Sequence, residues 1–196
     1  MRASRFILSA GLLLAATTAY VPAYAQVAGS ATMAAEHAVI VGDAPMYPSR
    51  NIIQNAVNSK DHTTLVAAVK AAGLVQTLEG AGPFTVFAPT NEAFNKLPPG
   101  TVANLLKPEN KQMLTTVLTY HVVAGRYTEA DLIHMVKSGG GTAMLKTVQG
   151  EPLTITWANG RLWVKGEGGG LASITVPDVT QSNGEIQVVN AVLMPK

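Results

Sequence analysis

The stretch Phe84-Thr-Val-Phe-Ala-Pro-Thr-Asn-Glu-Ala-Phe94 decides the fold of this chain. Residues 84–88 are apolar or β-branched without interruption, which predicts a short buried strand that Pro89 closes. Residues 91–96 have the composition of a short helix. The stretch therefore predicts a strand, a turn and a helix in immediate succession.

The hydrophobic period differs before and after this stretch. Upstream, apolar residues recur at helical spacing over residues 65–72, and Gly73 is a typical helix end. Beyond residue 142 the period changes from about 3.6 to about 2, and Asn159-Gly160 joins two alternating strands as a hairpin turn. Because helices come first and most strands follow, the pattern predicts an α+β fold.

Two further segments complete a pattern that resembles a known family. Tyr120-His121 precedes Val122-Val123, and the third segment is Gly184-Glu-Ile-Gln-Val-Val-Asn-Ala-Val-Leu-Met-Pro195. In residues, order and spacing, the three segments are similar to the signatures of the fasciclin domain, and the resemblance covers residues 48–196. It implies a fasciclin-like α+β domain: a wedge-shaped β-sandwich with several helices packed along its edge.

The resemblance also implies a type of function. Fasciclin domains occur in exported and cell-surface proteins, where they act in adhesion and in binding matrix proteins or other ligands, and they are generally not enzymes. This short chain resembles the single-domain bacterial members, which are secreted or periplasmic. Two positions depart from the family, since Gln187 stands where His is common and Asn190 where Asp is common. No ligand role is carried over to those positions.

The first 25 residues predict a cleavable signal peptide. Arg2 and Arg5 precede an apolar run over residues 6–19, which has the length of a signal-peptide core rather than of a membrane-spanning helix. Ala23-Tyr24-Ala25 supplies the small residues that signal peptidase requires, so we expect cleavage after Ala25. An uncut N-terminal anchor is the alternative. Because no cysteine stands at the cut, a lipid anchor is excluded, and we expect no membrane insertion after signal removal.

The predicted mature chain divides into a tether and one domain. Residues 26–47 are rich in Ala, Gly, Ser and Pro without a sustained period, which predicts a flexible tether. Residues 48–196 then form the fasciclin-like domain, which is large enough to be held together by its hydrophobic core alone. We expect the protein to be secreted or periplasmic.

Composition and missing motifs exclude several classes of function. The chain has 14 Lys+Arg and 12 Asp+Glu, for a formal charge of +2. Both signal-peptide arginines leave on cleavage, so the predicted mature chain is neutral and has no electrostatic reason to bind nucleic acid. With no cysteine, disulfides, thiolate metal sites and cysteine nucleophiles are excluded. The sequence has no phosphate-binding loop, nucleophile elbow or helical metal-site spacing, so we expect no enzyme activity, cofactor or metal.

The candidate binding residues are Thr90, Asn91, Phe94, Tyr120 and His121. His121 lies between an amphipathic helix and an apolar strand, so its imidazole is expected to be buried with both nitrogens hydrogen-bonded. The resemblance implies that the Thr90-Asn91 turn lies nearby, which makes Asn91 the expected partner. Two interpretations are open: His121 is a structural core residue, or it shapes a binding surface with Tyr120. The place of His121 between a helix and an apolar strand favours the first interpretation. The resemblance is the ground for the second, because this region is implicated in receptor recognition among animal relatives.

Two functions are consistent with these patterns. The first is an exported, non-enzymatic binding or adhesion module that contacts a protein, matrix or cell-surface ligand through Thr90–Phe94 and the Tyr120-His121 region. The second is a periplasmic carrier or sensor of a small apolar ligand held in a gap between the sheet and the helices. A closed interior favours the first function, and an apolar cavity favours the second.

Overall fold

The computed structural model describes residues 37–196. The predicted signal peptide, residues 1–25, and the first part of the predicted tether, residues 26–36, lie outside the described residues. The helices are α1 (Ile52–Ala56), α2 (Thr63–Ala72), α3 (Val75–Glu79), α4 (Asn91–Asn95), α5 (Thr101–Leu105), α6 (Lys111–Tyr120) and α7 (Glu129–Ser138). The strands are β1 (Val39–Val41), β2 (Ala44–Met46), β3 (Phe84–Pro89), β4 (Val122–Ala124), β5 (Thr142–Lys146), β6 (Pro152–Ala158), β7 (Arg161–Gly166), β8 (Leu171–Gln181) and β9 (Gly184–Val189). Most helices precede most strands, so the predicted α+β fold is confirmed.

The β1–β2 hairpin occupies part of the segment for which the sequence predicts a flexible tether. Val41 and Met46 are buried and belong to the core formed with the helices. The Lys60 N–H also donates a hydrogen bond to the Gly42 carbonyl at 3.1 Å. The packed region therefore begins at the hairpin and not at residue 48. Strands of three residues are too short to produce a recognisable period, which is why the sequence pattern missed them.

Local sequence explains where the helices begin and end. At the start of α7, Thr128 and Asp131 form a reciprocal capping box, in which each side chain accepts a hydrogen bond from the other residue's backbone N–H, at 3.2 and 3.0 Å. Helix α2 ends at Gly73, which has a φ of 75°. Glycine takes this left-handed conformation at little cost, so the predicted helix end is confirmed.

Strands β3 to β9 form one sheet in the order β4-β3-β9-β8-β7-β6-β5. The start of β8 pairs with β7 and the rest pairs with β9, with register shifts between Ile174 and Val179. Such irregularities bend a strand, so β8 passes from one half of the sheet to the other. An isolated bridge between Val123 and Thr147 brings the two ends of the strand order together. The sheet therefore folds over on itself as a β-sandwich.

Strands β3 and β9 pair in parallel between two hydrophobic cores. On one face, Val86 and Ile186 pack against residues of α1 to α6. On the other face, Phe87 and Val189 pack inside the sandwich with residues of α7. Strands covered on both faces are apolar at successive positions rather than at alternate ones. This burial explains the uninterrupted run at residues 84–88.

Candidate functional site

His121 is a buried structural residue at the C-terminal end of α6. Its side chain contacts the Val117 carbonyl through Nδ1 at 2.8 Å and the Leu193 N–H through Nε2 at 2.9 Å. Because a carbonyl accepts and an amide N–H donates, these partners require a neutral ring with its proton on Nδ1. Burial lowers the pKa of His121 to about 4, although the Val117 carbonyl opposes the shift. Both nitrogens are satisfied, which supports the structural interpretation.

Tyr120 is fully buried inside the sandwich. Its hydroxyl donates to the Pro152 carbonyl at 2.9 Å and accepts from the Glu167 N–H at 2.8 Å. Burial raises the pKa of this hydroxyl. Tyr120 therefore joins α6 to β6 and to the turn after β7. Because Tyr120 and His121 are 0% and 2% exposed, neither side chain is available to a macromolecule.

Asn91 is not the partner of His121, so that expectation is wrong. The Asn91 Oδ1 accepts from the Thr64 N–H at 3.0 Å, and its Nδ2 donates to the Lys60 carbonyl at 2.7 Å. The Nδ1 of His121 instead donates to a carbonyl of its own helix. Because the His121 backbone N–H donates to the Leu118 carbonyl, the Val117 carbonyl remains available to the imidazole.

Thr90 and Phe94 hold α4 in place. The Thr90 Oγ1 accepts from the Ala93 N–H at 3.3 Å as the N-cap of α4, and Phe94 is buried in the helical core. The structure thus brings Thr90, Asn91 and Phe94 together on one turn and helix. They form a group distinct from Tyr120 and His121. Strand β3 connects the two groups, since the Phe87 N–H donates to the His121 carbonyl at 2.9 Å.

The surface beside Asn91 consists of three chain segments that hydrogen bonds hold together. We define the Asn91 rim as five exposed residues on these segments: Asp43, Lys60, Asp61, Thr63 and Glu92. The Asn91 side chain joins residues 91–92 to residues 60–64. The hydrogen bond from the Lys60 N–H to the Gly42 carbonyl joins residues 60–64 to residues 42–43. The rim carries three carboxylates and one ammonium group, so its formal charge is −2.

A half-buried ion pair between Arg126 and Glu185 of β9 was not anticipated from the sequence. Glu185 is 1% exposed and lies 3.3 Å from the Arg126 guanidinium, which is partly open to solvent. Burial raises the pKa of Glu185, whereas the Thr180 hydroxyl and Arg126 lower it in part. The signal in the sequence was the single charged residue within a mostly apolar strand. The pair fastens the loop after β4 to the sheet.

The two positions that depart from the family pattern have structural roles. The Gln187 Nε2 donates to the Tyr127 carbonyl and to the Asp178 carboxylate, both at 3.1 Å. The Asn190 Oδ1 accepts from the Ser173 N–H at 2.9 Å. Gln187 therefore fastens the loop after β4 and strand β8 to β9, and Asn190 fastens β8 to the segment that follows β9.

An apolar cavity of about 60 Å³ lies between helices α1, α2, α3 and α6 and one face of the sheet. Most of its lining side chains are aliphatic, among them Ile53, Leu65, Leu78, Val86 and Ile186. His62 also lines the cavity and is 1% exposed. This gap has the position that the second sequence-based function requires.

Residues 37–196 offer neither a metal-binding cluster nor a membrane-spanning helix. No group of three or more His, Asp or Glu side chains in this range could hold a metal ion. No helix in the same range is both long enough and apolar enough to cross a membrane.

Comparison with known proteins agrees with the three sequence segments. The family model of the fasciclin domain matches residues 60–195. The chain belongs to the fasciclin domain family. It is similar to Protein sll1483 of Synechocystis, with 43% identity over 160 residues that cover 82% of each chain. It is also similar to the cell surface glycolipoprotein MPB83 of Mycobacterium bovis, with 33% identity over 172 residues that cover 85% of this chain and 70% of MPB83.

The fasciclin fold is also evident among solved structures. The chain resembles the FAS1 domain pair of the insect cell adhesion molecule Fasciclin I, with a TM-score of 0.66 and 19% identity. The match covers 76% of this chain and 52% of the other, so this chain spans about half the length of that structure. At this identity the likeness concerns the fold alone.

Proposed function

We propose that this chain is an exported, non-enzymatic binding module that contacts a protein or cell-surface ligand through the Asn91 rim. The observation that carries the proposal is the set of hydrogen bonds from Asn91, which fixes the start of α2 against the start of α4. Charged side chains on both sides of this junction point outward and are exposed. Tyr120 and His121 then support the domain from inside and do not form the contact surface.

The rim has two properties that favour recognition of a macromolecule. Its backbone is fastened in three places, so little conformational freedom is lost when a partner binds. Its carboxylates outnumber its ammonium group, because the five rim residues include Asp43, Asp61 and Glu92 but one lysine, Lys60. A negatively charged surface is complementary to a partner with basic groups.

The polar interior favours a non-enzymatic role. The imidazole of His121 and the carboxylate of Glu185 are engaged by the Leu193 N–H and by Arg126. A general acid or base must be able to reach the reacting group. These buried groups are instead held in contacts that keep the domain folded, which supports binding rather than catalysis.

Charge reversal at the rim tests the proposed contact surface. The chain and the variant Asp61→Lys/Glu92→Lys are immobilised and exposed to envelope and matrix fractions of the producing cells, and retained macromolecules are identified and their affinities measured. The control Glu79→Lys/Glu109→Lys makes the same change in charge at exposed positions elsewhere. We expect the rim variant to lose at least tenfold in affinity and the control to retain it. Equal binding by both variants contradicts the assignment of the rim.

We propose in addition that the chain is exported with cleavage after Ala25. The charged start, the apolar run and the Ala23-Tyr24-Ala25 site support this proposal. The similar protein MPB83 is described as a cell surface protein. N-terminal sequencing of chain recovered outside the cytoplasm should begin at Gln26. A chain that retains Met1 after fractionation with the membrane supports the uncut anchor instead.

A further inference from the structure

The outward side of strands β5 to β7 carries positive charge and no negative charge. Side chains alternate along each strand, and the inward ones, such as Ile155, Leu162 and Val164, lie in the core of the sandwich. The three strands contain three basic and no acidic residues, so their formal charge is +3. We define the basic face as six outward side chains of these strands: Lys146, Thr154, Thr156, Arg161, Trp163 and Lys165.

The three cations of the basic face are not neutralised by the domain. Lys146, Arg161 and Lys165 are exposed, and none of them takes part in an ion pair within residues 37–196. The nearest carboxylates along the chain, Glu151 and Glu167, lie in the turns before β6 and after β7. Clustered cations of this kind attract groups of opposite charge. The basic face is therefore complementary to an anionic partner.

Trp163 lies at the centre of the basic face. On β7 it is flanked by Arg161 and Lys165, each about 7 Å away along the strand, and Thr156 of β6 lies directly opposite it. The indole N–H of Trp163 donates to the Ala158 carbonyl of β6 at 3.2 Å. This hydrogen bond fastens the edge of the ring to the backbone of the neighbouring strand. The half-buried ring therefore lies along the sheet and leaves one face open to solvent.

These groups match the chemistry of a sugar chain that carries acid groups. The C–H side of a sugar ring packs against the face of an indole, which offers a large apolar area. The hydroxyls of Thr154 and Thr156 donate to and accept from sugar hydroxyls. Arg161 and Lys165 form charge-assisted hydrogen bonds with carboxylates or sulfates.

The spacing of the cations distinguishes this partner from a nucleic acid. From the strand rise and the distance between strands, Lys165 lies about 14 Å from Arg161 and about 12 Å from Lys146. A nucleic acid strand carries a phosphate about every 3.4 Å, so most of its charges would meet no cation on the basic face. A chain with acid groups on some of its sugars matches the wider spacing.

The arrangement of the apolar side chains distinguishes the same partner from a lipid surface. Met144 and Leu171 are exposed on the same side of the sheet. Thr154 and Lys165 lie between them in the cross-strand row. The two apolar side chains therefore form no continuous patch that a lipid surface would bury.

We propose that the basic face binds an acidic polysaccharide, a sugar chain that carries carboxylate or sulfate groups. One sugar ring stacks on Trp163, and acid groups on either side pair with Arg161 and Lys165. The basic face shares no residue with the Asn91 rim. This second surface goes beyond the proposed function, and its test succeeds or fails independently of the rim.

Two matched pairs of saccharides test the proposal by isothermal titration calorimetry. The first pair is a galacturonate oligomer and its methyl ester, which have the same rings but differ in charge. The second pair is dextran sulfate and dextran. We expect the charged member of at least one pair to bind at least tenfold more tightly than the uncharged member. This preference should shrink when NaCl is raised from about 20 to about 500 mM, because salt screens exposed charges.

Charge variants assign the binding to the basic face. Arg161→Gln/Lys165→Gln removes two of its three charges, so we expect the affinity for the acidic saccharide to fall at least tenfold. The control Lys70→Gln/Lys107→Gln removes two charges at exposed positions elsewhere and should bind normally. Because both changes are at exposed positions, the folded domain is expected in each variant.

Tryptophan variants test the stacking of a sugar ring. Trp163→Thr removes the indole, so we expect the affinity to fall about fivefold or more. Trp157→Thr is the control, because Trp157 pairs with Leu162 and lies on the opposite side of the hairpin. In Trp157→Phe, Trp163 is the only tryptophan of the chain, and its fluorescence should change on titration with the acidic saccharide.

Four results overturn the proposal. The first is equal affinity for the charged and uncharged members of both pairs, and the second is undiminished binding by Arg161→Gln/Lys165→Gln. The third is an equal loss of affinity in Trp163→Thr and Trp157→Thr. The fourth is tighter binding to phosphatidylglycerol vesicles or to a thymidine oligonucleotide than to either acidic saccharide, which assigns the basic face to lipid or to nucleic acid.

Discussion

The Leu193 N–H donates a hydrogen bond to the Nε2 of His121 at 2.9 Å, across 72 positions of the sequence. The bond requires an unprotonated nitrogen, and burial lowers the pKa of His121 to about 4. Leu193 is itself fully buried in the core of the sandwich. The segment after β9 is therefore held in the domain by an imidazole that must stay neutral.

Acidification should destabilise the domain between about pH 6.5 and pH 4. The pKa of His121 is about 4 in the folded state, against 6.5 as the ordinary value, so the unfolded state takes up the proton first. The stability that depends on the neutral ring is complete above pH 6.5 and is lost progressively toward pH 4. The total loss is about 3 kcal/mol. Burial also lowers the pKa of His62, which adds to the loss, whereas the raised pKa of Glu185 opposes it. Urea unfolding at a series of pH values measures the effect.

The variant His121→Asn is the control for the pH effect. The Asn amide offers one donor group and one acceptor in an uncharged side chain, so it cannot titrate in this range. We expect a lower stability at pH 7 and a much flatter dependence on pH between 4 and 6.5. An unaltered slope in the variant assigns the acid sensitivity to other groups.

Removing the Tyr120 hydroxyl should destabilise the sandwich. Tyr120→Phe leaves the Pro152 carbonyl and the Glu167 N–H without their partner, at a cost of about 1–3 kcal/mol. The melting temperature should fall by about 2–4 °C for each kcal/mol in a domain of this size. Tyr127→Phe is the matched control, because Tyr127 contacts Thr85 and Gln187 through its backbone. A melting temperature that falls equally in both variants contradicts the assigned role.

Asn183 should be among the side chains most sensitive to replacement. Its Oδ1 accepts from the Ile52 N–H at 3.0 Å, and its Nδ2 donates to the Leu78 and Gly80 carbonyls at 2.7 and 2.9 Å. Asn183→Asp keeps the acceptor but places a carboxylate against two carbonyls, so we expect a loss of about 3 kcal/mol. Chemical denaturation of this variant is compared with that of Asn58→Ala, which removes an exposed amide. The control should change by less than about 0.5 kcal/mol. Equal losses of stability in Asn183→Asp and Asn58→Ala contradict the assigned role of Asn183.

A methyl group at Gly184 should disrupt the pairing of β3 with β9. A Cβ at this position overlaps the Phe84 carbonyl, which belongs to the backbone and has little freedom to move. We expect Gly184→Ala to cost about 1–3 kcal/mol, as other forced overlaps in packed interiors do. Ser182→Ala, at an exposed neighbouring position, serves as the control in the same thermal unfolding experiment. Equal stability of the two variants shows that β3 can move aside.

Local patterns in the sequence predicted much of the fold. The run at residues 84–88 indicated a buried strand, and Gly73 indicated a helix end, because each depends on neighbours in the chain. The β1–β2 hairpin was missed, since strands of three residues carry no readable period. The parallel pairing of β3 with β9 was not predicted, because no local pattern reports which distant strand lies alongside.

The candidate site was predicted less well, for a physical reason. Burial and full hydrogen bonding of His121 followed from its place between a helix and an apolar strand. The hydrogen-bond partners of His121 could not be predicted. The Val117 carbonyl is available only because of the way α6 ends, and Leu193 lies 72 positions away in the sequence. The cavity beside His62 is space between side chains, and a one-dimensional pattern does not encode how completely neighbouring elements fill the volume they enclose.

The position of β9 between β3 and β8 also governs when the domain can form during synthesis. Phe84 pairs with Gly184, which is made 100 residues later. Until then β3 lacks its parallel neighbour, and each core lacks a strand, because β9 contributes Ile186 to one and Val189 to the other. Both cores therefore stay open until β9 has been made, and this single late strand closes them together.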